Sequence, residues 1–271
     1  MATHDLFLEL FAFPAASKPS EPLEARIKRF LEKDKGTESL DGPAFDHING
    51  AETKADYLLG GRRIVTELKT LNGDPLLRVE ERVRQRLSQP GAPLVYGQPP
   101  FEQVLGALGE GDELAKTIID ISSRAVRKHL RKADDQIAAI KARLNLPEAA
   151  GLLVLMNDSE EMIDAATIGY TLKATFDADP DRFANVTNIW VSVESHRIRM
   201  PDGRLGYAQL HVYRSRQRKA ELDFMHRLLA AWGHDNGASM HIIPHRGDWD
   251  TMGAVYDNGP PVLAPYEPRK S

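Results

Sequence analysis

Apolar and polar positions alternate with different periods along this chain, and each change of period predicts an element. After Pro22, Leu23, Ile27, Phe30 and Leu31 recur at helical spacing among charges, which predicts a helix. Between Lys54 and Leu71 the chain reads KADYLLGGRRIVTELKTL, where two apolar runs flank Gly60-Gly61. Such a glycine pair predicts a β-hairpin with a two-residue loop, because primed turns need positive φ. A charged helix is expected over Leu76–Gln89, a third strand at Leu94-Val95-Tyr96 and a short helix over Phe101–Leu108. Leu114 to Leu146 is free of glycine and proline, with apolar residues stepping by three or four, so it predicts one amphipathic helix about 50 Å long. The apolar run Gly151–Met156 then suits a central strand buried on both faces.

Further along, Asn157-Asp158-Ser159 reads as the cap of a helix over Glu160–Phe176. Val186–Arg199 and Arg204–Tyr213 alternate around Pro201-Asp202-Gly203 as a second hairpin carrying Arg197, Arg199, Arg204 and Arg214. Gln217–Trp232 reads as helix. These elements either extend the sheet or cap it. The first apolar stretch, Asp5–Phe13, is expected to be a short helix or an arm, and Asp34–Thr53 a loop punctuated by Gly36, Gly42-Pro43 and Asn49-Gly50.

The hairpin also carries chemistry. With Gly60 and Gly61 as the loop, Leu59 pairs with Arg62 and Asp56 falls opposite Val65. Side chains alternate with period two, so Val65, Glu67, Lys69 and Leu71 share that face and Asp56 lies diagonal to Glu67, roughly 7–8 Å away. At that separation two carboxylates can lean toward one hard cation such as Mg²⁺, held at about 2.0–2.1 Å. Lys69, one step along, is a compact ammonium able to hold a water or a phosphate oxygen beside the ion.

Asp56 with Glu67-Leu68-Lys69 resembles the PD-(D/E)XK nuclease superfamily of restriction-endonuclease-like enzymes. Asp56 matches the first acidic residue and Glu67-Leu68-Lys69 the E-X-K element; Ala55 stands where the motif's name has proline. The resemblance covers about the first two-thirds of the chain. A second E-X-K, Glu52-Thr53-Lys54, lies in a polar stretch without a preceding in-register aspartate. The resemblance implies an α/β fold with an α-β-β-β-α-β core, a mixed sheet flanked by helices. It also implies Mg²⁺ or Mn²⁺ on Asp56, Glu67 and the Leu68 carbonyl, with Lys69 positioning the water. The first helix sometimes adds an acid, for which Glu24 is the candidate; dipole stabilisation of the helix start explains Glu24 equally simply. His47 and Glu52 are near the site only in sequence. The long helix would offer Lys132 or Gln136, which share a face, within a basic cluster with Arg124, Arg127, Lys128 and Arg131.

Composition constrains the rest. At 271 residues the chain can hold one large domain or two small ones; a single domain 1–271 is expected, with a nuclease-like core over 20–157 and a C-terminal extension or cap over 158–271. There are no cysteines, so disulfides, thiolate metal sites and a cysteine nucleophile are excluded. The net charge of −4 requires any nucleic-acid contact to use a local basic patch. No apolar run approaches the ~20 residues of a membrane helix, and LFLELFAF lacks a basic lead, so a cytoplasmic soluble protein is the default.

The expected function is a Mg²⁺- or Mn²⁺-dependent nuclease acting on DNA, or else RNA; double-strand cutting would favour a homodimer. A non-catalytic nucleic-acid-binding or interaction module of the same fold is the alternative. A third candidate is a hydrolase using a transition metal on His234, Asp235, His241, His245, Asp248 and Asp250, although Pro244 separates His241 from His245 and breaks any HExxH-like spacing.

Overall fold

The computed structural model describes residues 6–48, 54–72, 75–94, 103–104, 107, 111–161, 163–214, 218–243 and 254–255. In chain order the elements are β1 (Leu6–Pro14), α1 (Leu23–Glu32), β2 (Glu38–Ser39), β3 (Tyr57–Leu59), β4 (Ile64–Thr70), α2 (Pro75–Leu87) and α3 (Gly111–Arg143). They continue with β5 (Ala150–Asn157), α4 (Ala165–Ala178), β6 (Asn188–Arg199), β7 (Leu205–Arg214), α5 (Lys219–Asp235), β8 (His241–Ile243) and β9 (Ala254–Val255). This is an α/β fold around one mixed sheet of order β2-β3-β4-β5-β6-β7-β1-β8, with β9 pairing to the far end of β6.

Two apolar layers sandwich the sheet. On one face α3 and α4 contribute Leu130, Ala133, Ile137, Ile168 and Leu172 to a core shared with Val65, Leu153 and Val191. On the other, α1 and α5 supply Ile27, Phe30, Met225 and Trp232 against Leu68, Val154 and Trp190. Strand β5 is buried at all eight positions, as its unbroken apolar run requires of a strand covered on both sides. It runs parallel to β4 and β6, whereas β2, β3 and β4 pair antiparallel to one another. The helix crossing from β4 to β5 is the long amphipathic segment of the sequence.

Several expectations change. Leu6–Pro14 is a strand between β7 and β8, not a helix or arm, and its Phe11 and Phe13 fill the α1/α5 face. A strand is found before the hairpin, at Glu38–Ser39 within the expected loop; of the strand expected at Leu94-Val95-Tyr96, Leu94 is outside any strand, and Val95 and Tyr96 lie outside the described residues. Most of Phe101–Leu108 lies outside them as well. The helix after β5 starts at Ala165, because Asp164 is its cap, accepting from the Thr167 N–H at 2.7 Å. Asn157 instead ties the preceding loop, accepting from the Glu160 N–H and donating to the Ile163 carbonyl at 2.6 Å. The second hairpin extends the sheet instead of capping it.

Gly151 marks the closest approach in the core. A Cβ there would meet the Asn185 carbonyl oxygen at 1.9 Å, so Gly151→Ala must displace backbone packed beside α3. A loss of about 2 kcal/mol is expected, read as a lower urea midpoint at unchanged slope.

Candidate functional site

The loop between β3 and β4 sets the site, and it is longer than the glycine pair suggests. Leu59 pairs with Ile64, so the turn contains Gly60, Gly61, Arg62 and Arg63. Gly60, Gly61 and Arg62 take φ of 58°, 67° and 66° in succession. Arg62 is held out of the strand by two hydrogen bonds of 2.8 Å to Glu38 on β2. The expected pairing of Leu59 with Arg62, and of Asp56 with Val65, is therefore corrected by two residues. A two-residue shift preserves the face of every side chain. Tyr57 pairs with Thr66, so Asp56 comes level with Glu67 rather than diagonal to it, bringing their side chains closer than expected.

Asp56 stands just before β3 and is fixed on three sides. Its N–H donates to the Thr66 carbonyl at 3.0 Å, and its carbonyl accepts from the Leu40 N–H at 2.9 Å. Its carboxylate accepts from the Leu68 N–H at 2.7 Å. A strand residue's N–H and C=O leave on the same edge, so the Leu68 carbonyl is directed toward the edge where Asp56 sits, beyond the last residue of β3.

Glu67 is 2% exposed. One of its oxygens pairs with the Lys69 ammonium. The other, Oε2, is buried and has no donor, while the Asp56 carboxylate lies within hydrogen-bonding reach of the same side chain. Burial, and then the adjacent Asp56 charge, push the Glu67 carboxyl up to about 8. Burial also raises Asp56, although the Leu68 N–H and Lys69 oppose it. Two buried carboxylates side by side disfavour double ionisation, and a hard divalent cation relieves both the repulsion and the missing donor. The donor set thus fits Mg²⁺ or Mn²⁺, with Asp56, Glu67 and the Leu68 carbonyl as the oxygens.

Helix α3 covers this face and adds a residue that the sequence reading passed over. His129 carries a buried Nδ1 without a hydrogen-bond partner. Burial, then the positive charges of Lys69, Lys128 and Lys132, lower its pKa to about 4, so the ring is neutral near pH 7. The available signal was its place beside Leu130, on the boundary between the buried stripe and the basic cluster.

The remaining candidates separate. Lys128, Arg131 and Lys132 are exposed on α3. Gln136 donates to the Lys54 carbonyl at 2.5 Å, bracing the approach to Asp56. Glu24 sits at the end of β4, accepting from the Thr70 hydroxyl at 2.8 Å and pairing with Lys28 at 2.7 Å. Arg204 pairs with Asp202. Arg214 donates to the Pro180 and Phe183 carbonyls. The side chain of His47 and all of Glu52 lie outside the described residues, as do His245, Asp248 and Asp250. His234 belongs to α5, and His241 to β8, where it faces Arg204 at 3.5 Å. Among the described residues, the histidines and acid that converge are instead Glu9, His211 and His226.

Comparison of the chain with protein-family models, with curated proteins and with solved structures finds no match. The site therefore has to be read from its own chemistry. Among the described residues no helix is long and apolar enough to cross a membrane.

Proposed function

We propose that this chain is a divalent-metal-dependent nuclease of the restriction-endonuclease-like, PD-(D/E)XK type. The observation that carries the reading is the buried, donorless Oε2 of Glu67 beside Asp56, with Lys69 on the same sheet face. The element order supports it: after α1, three antiparallel strands lead through α3 to the parallel strand β5.

In this reading Asp56, Glu67 and the Leu68 carbonyl would hold Mg²⁺ or Mn²⁺. Such an ion, when bound, stabilises charge on a scissile phosphate and acidifies a coordinated water. Lys69 exchanges its contact with Glu67 for the phosphate or the attacking water, supplying a positive charge that needs no proton transfer to form. His129 contributes a neutral hydrogen-bonding ring beside Lys69. Lys128, Arg131 and Lys132 give the chain, acidic as a whole, a local basic surface along which a phosphate backbone can lie.

The test is cleavage of double-stranded DNA, single-stranded DNA and RNA in Mg²⁺ or Mn²⁺ against an EDTA control. Divalent-dependent product is the expected result. Binding of any of these polymers without turnover would select a non-catalytic module instead. A specific expectation attaches to His129: replacement by Ala should lower the cleavage rate about 10–100-fold. Because the ring is already neutral, that loss should be flat from pH 6 to 9, whereas a charged role for His129 would make it grow as pH falls.

A further inference from the structure

A second cluster lies on the opposite face of the sheet. Glu9 of β1 pairs directly with His211 of β7, and His226 projects from α5. The Glu9 Oε2 lies 2.8 Å from His226 Nε2 and 3.2 Å from His211 Nδ1, and one ligand atom from each residue falls within 4.8 Å of the others. Donors bound tetrahedrally to Zn²⁺ at 2.0–2.1 Å stand about 3.3–3.5 Å from one another, so an ion would part Glu9 from His226 by about half an ångström and leave its spacing to His211 nearly unchanged.

Hydrogen bonding behind His211 sets which ring nitrogen faces Glu9. The Thr187 hydroxyl donates its only proton to the Gly151 carbonyl at 3.2 Å, so it accepts from Asn188 Nδ2 at 3.1 Å. With that amide orientation the Asn188 Oδ1 faces His211 Nε2, 3.1 Å away, and a ring proton on Nε2 satisfies it. In the neutral ring Nδ1 then presents a lone pair straight at the Glu9 carboxylate. Two acceptors at 3.2 Å repel unless a proton or a metal ion stands between them. The His211 side chain is 0% exposed, so bulk water does not screen that contact. An amide oxygen fixing the far nitrogen of a metal-ligating histidine is the usual support for such a site.

The geometry points to a transition-metal site, of Zn²⁺ type, formed by Glu9, His211 and His226. Two imidazoles and one carboxylate without a thiolate suit Zn²⁺ over softer ions. Asn188 orients His211. The His226 and Glu9 side chains are 40% and 30% exposed, which gives the ion a route in and leaves a position for water. Occupation cross-links β1, β7 and α5, and is independent of the Asp56/Glu67 pair on the other face.

Full-length protein stripped with EDTA and titrated with ZnCl₂ tests the site by calorimetry and metal analysis. One Zn²⁺ per chain is expected, with a raised melting temperature. Affinity should fall at least about 100-fold in His226→Ala and about 10-fold in Asn188→Ala. The double variant Asp56→Asn/Glu67→Gln should keep the full equivalent. Co²⁺ added to the unmodified chain should give the visible bands of a four- or five-coordinate site, a readout that needs no variant to fold. Absence of binding or of those bands overturns the proposal, as does Zn²⁺ that persists in His226→Ala or vanishes in the carboxylate double variant.

Discussion

Asp56→Asn, Glu67→Gln and Lys69→Met are each expected to lower divalent-dependent cleavage by on the order of 10³-fold, for different reasons. On the proposed reading Asp56 and Glu67 supply the anionic oxygens of the ion site, so their amides should weaken the ion and the charge it would deliver to the phosphate. Part of that loss should be recovered at high Mn²⁺, since an amide oxygen remains a weak ligand. Lys69→Met keeps length and apolar stem but removes the charge, so the loss should appear in the rate at saturating metal, with metal affinity little changed or improved. Preorganised charges aimed at a transition state have effects of this size when removed singly. Combining two replacements should cost far less than the product of the single losses, because the groups act as one unit. Cleavage undiminished in all three variants would sink the assignment.

The face shared by Asp56, Glu67 and Lys69 was legible in the chain because strand periodicity depends on parity. The turn is two residues longer than Gly60-Gly61 implies, because Arg62 enters positive φ and is anchored on Glu38. An even correction leaves the face intact; an odd one would have scattered the site. The long helix and the buried strand β5 were legible for the same reason, each having a run of residues long enough to display its period.

What escaped was either too short or too distributed. Strand β2 has two residues, which is less than one period. The strand at Leu6–Pro14 has Glu9 in the middle of an otherwise unbroken apolar run, so it displays neither a strand nor a helix period cleanly. That carboxylate is tolerated inside the sheet because His211 and His226 meet it, and those partners lie 202 and 217 residues away. No local pattern reports such a meeting. His129 was hidden by the conspicuous lysines around it, although burial, reinforced by those same charges, keeps it neutral.

The carboxylate pair should also be visible in stability, with the opposite sign from activity. Glu67 ionises near 4.5 in an unfolded chain and near 8 in the folded metal-free protein. Between these values the folded chain holds a proton that the unfolded chain has released. Stability is therefore greatest below about pH 4.5 as far as this group is concerned, declines as pH rises through the window, and carries the full penalty above about 8. Glu67→Gln removes the titration while keeping the shape and adding a donor toward Asp56. In EDTA at pH 9 the variant should be more stable than the unmodified chain by on the order of 3 kcal/mol, and the advantage should shrink steadily toward pH 5. Adding Mn²⁺ at a hundred times its dissociation constant should return about 2.7 kcal/mol to the unmodified chain and much less to the variant. Urea melts at pH 5, 7 and 9, with and without Mn²⁺, measure all of these differences. A Glu67→Gln variant less stable than the parent at pH 9 in EDTA would mean that Glu67 is already satisfied by Lys69 alone. It would then be a structural ion pair, and the case for a cation between the two acids would fail with it.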